Sequence, residues 1–359
     1  MIPDAIDLSG LRRVLVTKLR HHGDVLLTSP VFQVLKNHAP HLEIDALVYA
    51  DTAPMLDLHP AIKHIFCIDR SWKKQNVWDQ FSREWRLFRS LKARRYDLII
   101  HLTEHPRGAT LKRLLGIRYG VARSYVGRTR PTWRTFTHLY KTPSGKTRHT
   151  VELHLDALRR IGLQPEVNER RLVLEPGAAA IERVNRIMEQ NGIAPHAFIH
   201  LHPTSRWLFK CWPTARVAEL LCILGARGHR VVMTSAPDER ERAMVRNILS
   251  ATSCPVIDLT GQLSLKELAA LAAKARLFIG VDSAPMHIAA AVQTPVVALF
   301  GPSSDVEWAP WMVENEVVTM NYPCRPCGMD GCGGSKVSDC LTQLPVAQVL
   351  AAVEKLLAR

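Results

Sequence analysis

The chain has 359 residues and a formal net charge of +14, which provides length for two domains of about 170 residues each. No apolar run in the sequence approaches the roughly 20 residues that a membrane-spanning helix needs. The first ten residues lack the apolar stretch of a secretory signal, so we expect a cytoplasmic protein rather than a secreted or membrane-spanning one.

The positive charge is concentrated in the first half of the chain. Residues 1–176 contain 30 basic and 17 acidic side chains, a balance of +13, whereas residues 177–359 contain 17 and 16, a balance of +1. Eleven basic residues and no acidic ones lie between Glu104 and Glu152. This basic segment predicts a surface for nucleic acid, anionic lipid or a phosphorylated substrate, although a merely solvated basic face has the same composition.

The first half is predicted to repeat a strand-and-helix unit. Apolar runs predict strands and an amphipathic pattern predicts helices. The strands are expected at 12–18, 42–49, 61–68 and 96–102, and the helices at 25–40 and 72–93. Residues 105–150 read as a long, irregular basic insertion, and the turn residues of 164–180, which also hold one short predicted strand, place a domain boundary after residue 176.

The second half resumes the same alternation of strands and helices. Strands are expected at 197–201, 230–234, 256–259, 278–281 and 295–300, and helices at 214–225, 238–249, 264–274, 286–292 and 346–357. This alternation predicts an α/β fold with a doubly wound parallel sheet in each half. We therefore expect two Rossmann-like domains, 1–176 and 177–359, facing a central cleft.

An acidic residue, Asp24, follows the first predicted strand at its carboxyl end. Open parallel sheets bind ligands at that edge, so its carboxylate is a candidate general base. Asp is also a preferred N-cap residue, and capping of the helix that follows is the alternative.

The loop at 200–213, HLHPTSRWLFKCWP, follows the first strand of the second half. The hydroxyls of Thr204 and Ser205 could hold phosphate oxygens, and Lys210 could neutralise a departing diphosphate. We expect Trp212 to pack beneath the next helix rather than bind a ligand.

Two further loops of the second half could contact a nucleoside. Glu239 is a candidate for a ribose contact, with charge pairing at a helix start as the alternative. Leu263 could lie on a nucleobase, and Ser264 is predicted to cap the next helix. The sequence contains no GxGxxG and no P-loop motif, which argues against a dehydrogenase or a Walker NTPase.

Residues 278–302, FIGVDSAPMHIAAAVQTPVVALFGP, predict a strand, a polar turn, a helix of small residues and a second strand. Asp282, Ser283 and His287 fall near the start of this helix, where free N–H groups favour phosphate. Either Asp282 or Ser283 could instead be a helix cap.

Four cysteines cluster in the segment 324–340, at Cys324, Cys327, Cys332 and Cys340. Their spacing is compatible with a structural zinc site, although a metal-free loop of reduced thiols is the alternative.

Several of these segments resemble one family in order and spacing. The segments are RHHGDVLLTSPV, HPTSRWLFKCWP, TSAPDER, FIGVDSAPMHIAAA and VVALFGP. They resemble the ADP-heptose:lipopolysaccharide heptosyltransferases, glycosyltransferase family 9, over nearly the whole chain. The resemblance implies a GT-B fold and inverting transfer of L-glycero-D-manno-heptose from ADP-heptose to an inner-core heptose. The pattern is most similar to the type that adds a side-branch heptose III to heptose II.

The resemblance also implies roles for individual residues. Asp24 would be the base. The donor would contact Thr204, Ser205, Lys210, Glu239, Leu263, Asp282, Ser283, Ala284 and His287. No cofactor or metal would be required, and the sequence has no Asp-x-Asp motif, which fits that expectation.

The expected acceptor is a phosphorylated lipid A–inner core at the cytoplasmic face of the inner membrane, with which the protein would make peripheral contact. Its phosphates would contact Arg20, His22, Arg118, Arg123 and Arg128. Two rival hypotheses are a related transferase with another acceptor heptose or nucleotide sugar, and a non-catalytic nucleic-acid binder that uses the basic segment and its aromatic residues.

Overall fold

The structure is a computed structural model, and it describes residues 3–74, 76–124, 134–143, 145 and 147–359. The chain divides into two compact units, Met1–Leu174 and Glu175–Arg359, so the division lies two residues before the boundary expected after residue 176. None of the helices in the described ranges is long and apolar enough to span a membrane.

A parallel sheet forms the centre of the first unit. Its six strands, counted over the described residues, are β1 (Arg13–Lys18), β2 (Glu43–Tyr49), β3 (His64–Ile68), β4 (Leu98–His101), β5 (Tyr119–Arg123) and β6 (His138–Tyr140). The helices are α1 (His22–Leu26), α2 (Ser29–His38), α3 (Val77–Arg94), α4 (Arg107–Leu115) and α5 (Thr150–Arg159). Short 3₁₀ segments cover Ala50–Met55, Arg70–Lys74 and Asn168–Arg170.

The second unit has a parallel sheet of the same size over its described residues. Its strands are β7 (Phe198–His202), β8 (Arg230–Met233), β9 (Ile257–Asp258), β10 (Leu277–Val281), β11 (Val296–Leu299) and β12 (Asn315–Val318). The helices are α6 (Ala178–Gln190), α7 (Thr214–Ala226), α8 (Glu239–Ser250), α9 (Leu265–Ala272), α10 (Ala284–Ala291), α11 (Asp305–Trp308), α12 (Asp339–Thr342) and α13 (Val346–Leu357). Short 3₁₀ segments cover Leu208–Lys210 and Cys332–Gly334.

The two sheets have the same topology. The first has the order β3-β2-β1-β4-β5-β6, and the second, read from the opposite side, has the order β9-β8-β7-β10-β11-β12. Every adjacent pair is parallel, as in the register Val16↔Ala46 and Val16↔Ile100. The direction of strand addition reverses between β1 and β4 and again between β7 and β10, and such reversals are where open α/β sheets bind ligands. We call these places the first and the second switch point.

Apolar packing on both faces stabilises each sheet. Consecutive residues of β1, such as Leu15 and Val16, and of β4, such as Ile99 and Ile100, are buried, so both faces of the first sheet are covered. This explains why these strands read as apolar runs rather than alternating ones. In the second unit, Val349 and Val353 of α13 pack with Leu277 and other strand residues, so the final helix closes on the second sheet.

Two sequence predictions about the fold are wrong. The segment 105–150 is not wholly an irregular insertion, because its described residues supply α4, β5 and β6 and so complete the first sheet. The short strand expected in 164–180 is absent from that fully described range, and α6 begins at Ala178 instead.

Candidate functional site

The first switch point places Asp24 between two cations. Asp24 lies in the first turn of α1, directly after β1, and its side chain is 14% exposed. Its Oδ1 is 3.8 Å from Lys18 Nζ and 3.7 Å from Arg20 Nε. The N-cap of α1 is His21, without a side-chain capping bond, so Asp24 is not the cap of this helix.

Lys18 is a buried lysine that sequence reasoning missed. Its ammonium donates to the Leu102 carbonyl at 3.1 Å and lies 2.9 Å from His154 Nε2. His154 Nδ1 lies 3.0 Å from the Leu27 carbonyl and must donate to it, so Nε2 is the acceptor for Lys18. Burial lowers the pKa of Lys18 to about 8 and lowers the pKa of His154 well below its usual value. A lysine that ends an apolar strand is the signal that could have identified it.

The predicted acceptor-binding residues do not all lie together. Arg123 ends β5 at the same sheet edge as Asp24 and lies 3.7 Å from Glu104 Oε1. His22 Nε2 donates to the Asp51 carbonyl at 2.9 Å. Arg118 precedes β5, stacks 4.7 Å above the Tyr119 ring and therefore lies at the opposite edge of the sheet. Arg128 lies outside the described residues.

A pocket of about 360 Å³ lies at the carboxyl ends of the first four strands. Its lining includes Tyr49, Arg70, Trp72, Glu84, His105 and Arg107. The Arg70 guanidinium lies 4.2 Å from the centre of the Tyr49 ring and donates to Asp51 at 2.9 Å and to the Arg20 carbonyl at 2.8 Å. Arg107 pairs with Glu84. Sequence reasoning did not select Arg70, because only the three-dimensional fold brings it beside the loop that contains Arg20.

At the second switch point the structure joins two residues that the sequence placed 72 positions apart. Lys210, in the loop after β7, donates to Asp282 Oδ2 at 2.5 Å, and Asp282 follows β10. The Lys210 ammonium also lies 5.3 Å from the centre of the Trp207 ring. Ser283 is the N-cap residue of α10 but makes no side-chain capping bond, and its hydroxyl donates to the Val281 carbonyl at 3.3 Å. Neither Asp282 nor Ser283 is therefore a side-chain cap here.

The two hydroxyls that were predicted to bind phosphate have different hydrogen-bond partners. The Thr204 hydroxyl is buried and donates to Glu241 Oε2 at 2.7 Å, so the structure assigns it an internal partner rather than a free position for a ligand. Ser205 is also buried, and its Oγ accepts from the Trp207 amide at 3.3 Å. Sequence reasoning missed Glu241, which faces inward in the first turn of its helix.

Two buried histidines support the same loop. His200 Nε2 and His202 Nδ1 each lie 2.8 Å from the Thr234 hydroxyl oxygen. Burial lowers the pKa of each histidine to about 3, so both are neutral near pH 7 and add no charge to the second switch point.

The remaining donor candidates lie around this carboxyl edge. Glu239 begins α8, is exposed and pairs with Arg246 at 2.6 Å. Leu263 is half-buried against an apolar cluster. Ala284 is the first residue of α10, and His287, one turn later, is buried with its ring 6.5 Å from that of Trp308.

Two structural predictions for this unit are confirmed. Ser264 caps α9 in a reciprocal capping box with Glu267. Trp212 is 2% exposed, and its indole N–H donates to the Leu344 carbonyl at 3.0 Å. Its role is therefore packing and anchoring of the carboxyl-terminal segment.

The cysteine cluster does not form a metal site in the structure. Within the described residues, which include Cys324, Cys327, Cys332 and Cys340, no group of three or more His, Cys, Asp or Glu side chains is placed to hold a metal ion. Cys340 is buried, which raises the pKa of its thiol to about 11, so it is protonated at neutral pH. Because a bound zinc ion would itself deprotonate these thiols, the zinc hypothesis stays a prediction.

Comparison with known proteins gives a consistent result. Residues 84–337 match the model of glycosyltransferase family 9 (heptosyltransferase). The chain is 37% identical to lipopolysaccharide heptosyltransferase 3 of Escherichia coli, over 94% of this chain and 97% of that protein. It is 28% identical to lipopolysaccharide heptosyltransferase 1 of Pseudomonas aeruginosa, over 88% and 86% of the two chains.

Solved structures show the same fold. The glycosyl transferase family 9 protein from Veillonella parvula DSM 2008 aligns with a TM-score of 0.84 at 24% identity, over 99% of both chains. The E. coli heptosyltransferase WaaC with ADP-2-deoxy-2-fluoro heptose aligns with a TM-score of 0.72 at 20% identity, over 96% of this chain and 99% of that one. The predicted fold class is confirmed.

Proposed function

The chain belongs to glycosyltransferase family 9, the heptosyltransferases, and from that premise we propose that it transfers heptose from ADP-heptose to a heptose of the lipopolysaccharide inner core. The acceptor that we favour is heptose II, which would receive the side-branch heptose III. The 37% identity to lipopolysaccharide heptosyltransferase 3 over nearly the whole chain supports this choice.

The placement of Asp24 is the observation that carries the chemical part of this proposal. Its carboxylate lies at a switch point, is 14% exposed, and is flanked by Lys18 and Arg20. A carboxylate at this edge of the sheet is placed to act as a general base toward a ligand bound there. Asp24 would accept the proton of the acceptor hydroxyl as its oxygen attacks the anomeric carbon.

In this inverting single displacement, the new C–O bond forms as the bond to the diphosphate breaks. ADP leaves with the bonding electron pair, and the proton remains on Asp24. Lys18 would act as a positioning residue, because its contacts with Leu102 and His154 fix the ammonium that faces Asp24.

The donor would bind at the second switch point. Lys210 would place its ammonium on the diphosphate and stabilise the negative charge that develops as ADP departs. Asp282, now its partner at 2.5 Å, would turn to the heptose hydroxyls. Ser283, Ala284 and His287 would complete the diphosphate pocket at the start of α10, where the helix dipole favours an anion.

The nucleoside would lie along the neighbouring loops. Glu239 would accept hydrogen bonds from the ribose, since its carboxylate is exposed at the start of α8. Leu263 would lie near the adenine. We assign Thr204 to the support of this loop through Glu241 and leave the direct phosphate contact of that segment to Ser205 and Lys210.

We propose that transfer requires no cofactor or divalent cation, because Lys210 and the N-terminus of α10 offer positive charge to the diphosphate. Turnover that is unchanged by a chelator would support this assignment. Restoration of lost turnover by Mg²⁺ or Mn²⁺ would contradict it.

On the acceptor side, Arg20, His22 and Arg123 would bind the phosphates of the inner core, and we add Arg70 because it reaches the same loop. The protein would work peripherally at the cytoplasmic face of the inner membrane, where a lipid-anchored acceptor is presented.

The direct test is an assay of the purified protein with ADP-heptose and defined truncated lipopolysaccharide cores. Transfer to a core that ends at heptose II is the expected result. Turnover only with a core that lacks heptose I or heptose II would instead assign a different acceptor. Turnover with a UDP-sugar and none with ADP-heptose would overturn the donor assignment.

A further inference from the structure

Helix α3 presents a row of exposed aromatic side chains on the first unit. Trp78 is 83% exposed, Phe81 61% and Trp85 50%. The Trp85 ring stacks with Phe81 at a centroid distance of 6.3 Å and with Phe88 at 5.6 Å. We call Trp78, Phe81, Trp85 and Phe88 the aromatic ridge, and the last three form a continuous stack of rings.

The ridge lies on the side of α3 that faces away from the core. Residues at i, i+3 and i+7 share one helical face, which places Trp78, Phe81 and Trp85 in line. Leu87 and Leu91, on the other side of the helix, pack into the apolar cluster of the first sheet, and Leu91 is fully buried. The core of the unit is therefore complete without the ridge.

Exposed cations border the ridge. They are Arg83, Arg86, Arg89 and Lys92. Lys92 Nζ lies 5.7 Å from the centre of the Phe88 ring. The helix contains five basic and two acidic residues, and one of its acids, Glu84, is already paired with Arg107. The outer face therefore combines aromatic rings with excess positive charge.

We propose that the aromatic ridge and its bordering cations are a docking surface for an anionic lipid bilayer. This inference rests on the proposed function, in which the acceptor is anchored in a membrane. Amphipathic helices with Trp and Phe on one side and Lys or Arg beside them lie in the headgroup region of membranes. Basic side chains near the surface add attraction to anionic lipids.

The position of the helix relative to the pocket gives the docking surface a use. Gln80 and Glu84 of α3 line the pocket at the carboxyl edge of the first sheet, and Trp78, Phe81 and Trp85 are exposed on the same turns. The pocket and the ridge therefore share this helix, which with its side chains is about 10–12 Å across. Docking through the ridge would hold the pocket within about one helix diameter of the bilayer, in reach of a sugar carried on a lipid anchor.

The test measures co-sedimentation of the full chain with vesicles that contain neither lipopolysaccharide nor nucleotide sugar. One set contains phosphatidylglycerol and phosphatidylethanolamine, and the other contains phosphatidylcholine alone. The test variant is Trp78→Ser/Phe81→Ser/Trp85→Ser, and the matched control, Val167→Ser/Ile181→Ser, removes exposed apolar side chains elsewhere. A third variant, Arg83→Gln/Arg86→Gln/Arg89→Gln, removes charge and keeps the rings.

We expect the wild type and the control to bind the anionic vesicles, and the serine variant to bind them at least about tenfold more weakly. The glutamine variant should bind more weakly at low salt and show a shallower salt dependence. Equal binding by the wild type and the serine variant, or no wild-type binding, would overturn the proposal. A wild-type dimer in lipid-free solution that becomes monomeric in the serine variant would identify the ridge as a self-association surface and would also overturn it.

Turnover on a water-soluble acceptor separates this proposal from the proposed function. The serine variant should keep wild-type turnover on a lipid-free core oligosaccharide and lose it on the same core embedded in anionic vesicles. Vesicle binding by a wild type that transfers no heptose would count against the proposed function and leave the docking surface intact.

Discussion

The two switch points have the same topology and different chemistry. At the first, a carboxylate lies between two cations, and one of these, Lys18, is held by a neutral histidine and a backbone carbonyl. At the second, a lysine is paired with Asp282, and the buried histidines nearby are neutral. The same strand order therefore provides two edges with different side chains. In the proposed function, the first edge supplies the base and the second a phosphate-binding cation.

Removal of the Asp24 carboxylate should have the largest effect. We expect Asp24→Asn to lower kcat by about 10²–10⁴-fold, because the amide cannot accept the proton of the acceptor hydroxyl. Steady-state kinetics on a soluble core acceptor measure this. Glu104→Gln, at the same sheet edge, is the matched control and should retain kcat within about threefold, since the large rate factor of general-base catalysis belongs only to the group that accepts the proton. Equal losses in the two variants would show that Asp24 has no special role.

Removal of the Lys210 ammonium should have the next largest effect. Lys210→Met should lower kcat by about 10²–10³-fold and weaken ADP binding, because the developing charge on the diphosphate loses its cation. Arg206→Met, in the same loop, serves as the control for a general loss of positive charge. If Arg206→Met were as damaging as Lys210→Met, a diffuse field rather than a specific contact would hold the diphosphate.

The pH dependence of turnover should report the charge state of Lys18. Burial lowers the pKa of Lys18 to about 8, so its charge is present below that pH and is lost as the pH rises through it. We expect kcat of the wild type to decline on the basic side near pH 8. Lys18→Arg, whose charge persists at high pH, should remove that decline, while Lys18→Met should lower kcat by about tenfold at pH 7 as Asp24 loses its positioning partner.

Folding must be checked for the Lys18 variants. Lys18→Met leaves the Leu102 carbonyl and His154 Nε2 without their buried donor, at a cost of about 1–3 kcal/mol in the free energy of unfolding. Denaturant unfolding measures that cost. If kcat still declines near pH 8 in a folded Lys18→Arg protein, that decline belongs to another titrating group.

The sequence predicted the strands of both sheets well where they are apolar on both faces. Both sheets were predicted only in part, because β5 and β6 lie in the basic segment, where the apolar pattern is short, and β12 has only four residues. Helices α5 and α6 were also missed, since their neighbours resemble turns. Asp24, Lys210 and Asp282 could be proposed because each follows an apolar strand at its carboxyl end, and their roles stay predictions. Arg70 and Glu241 were missed because their partners are distant in sequence and only folding brings them together. Lys18 was missed although it ends an apolar strand.

A Thr204 variant tests whether the Thr204 hydroxyl supports its loop through Glu241 or contacts the donor phosphate. Thr204→Val removes the donor to Glu241, so we expect the free energy of unfolding to fall by about 1–3 kcal/mol. The affinity for ADP should change by less than Lys210→Met changes it. A stable Thr204→Val protein with strongly weakened ADP binding would restore the direct phosphate contact that the sequence predicted.

Charge reversal at two arginines should give the smallest effects. It tests which edge of the first sheet binds the acceptor. Arg123→Glu should raise the acceptor KM several-fold, because it ends β5 at the edge that contains Asp24. Arg118→Glu should leave both KM values near those of the wild type, because Arg118 lies at the other end of the strand. Kinetics on phosphorylated core acceptors measure both, and a larger acceptor effect from Arg118 would place the acceptor elsewhere.

The central claim is that the two switch points divide the reaction between a base and a donor site. Calorimetric titration of ADP into Asp24→Asn and Lys210→Met tests it most directly. The account predicts that Asp24→Asn binds ADP with nearly wild-type affinity although it no longer turns over, whereas Lys210→Met binds ADP at least about tenfold more weakly. Equal weakening of ADP binding in the two variants would contradict the division.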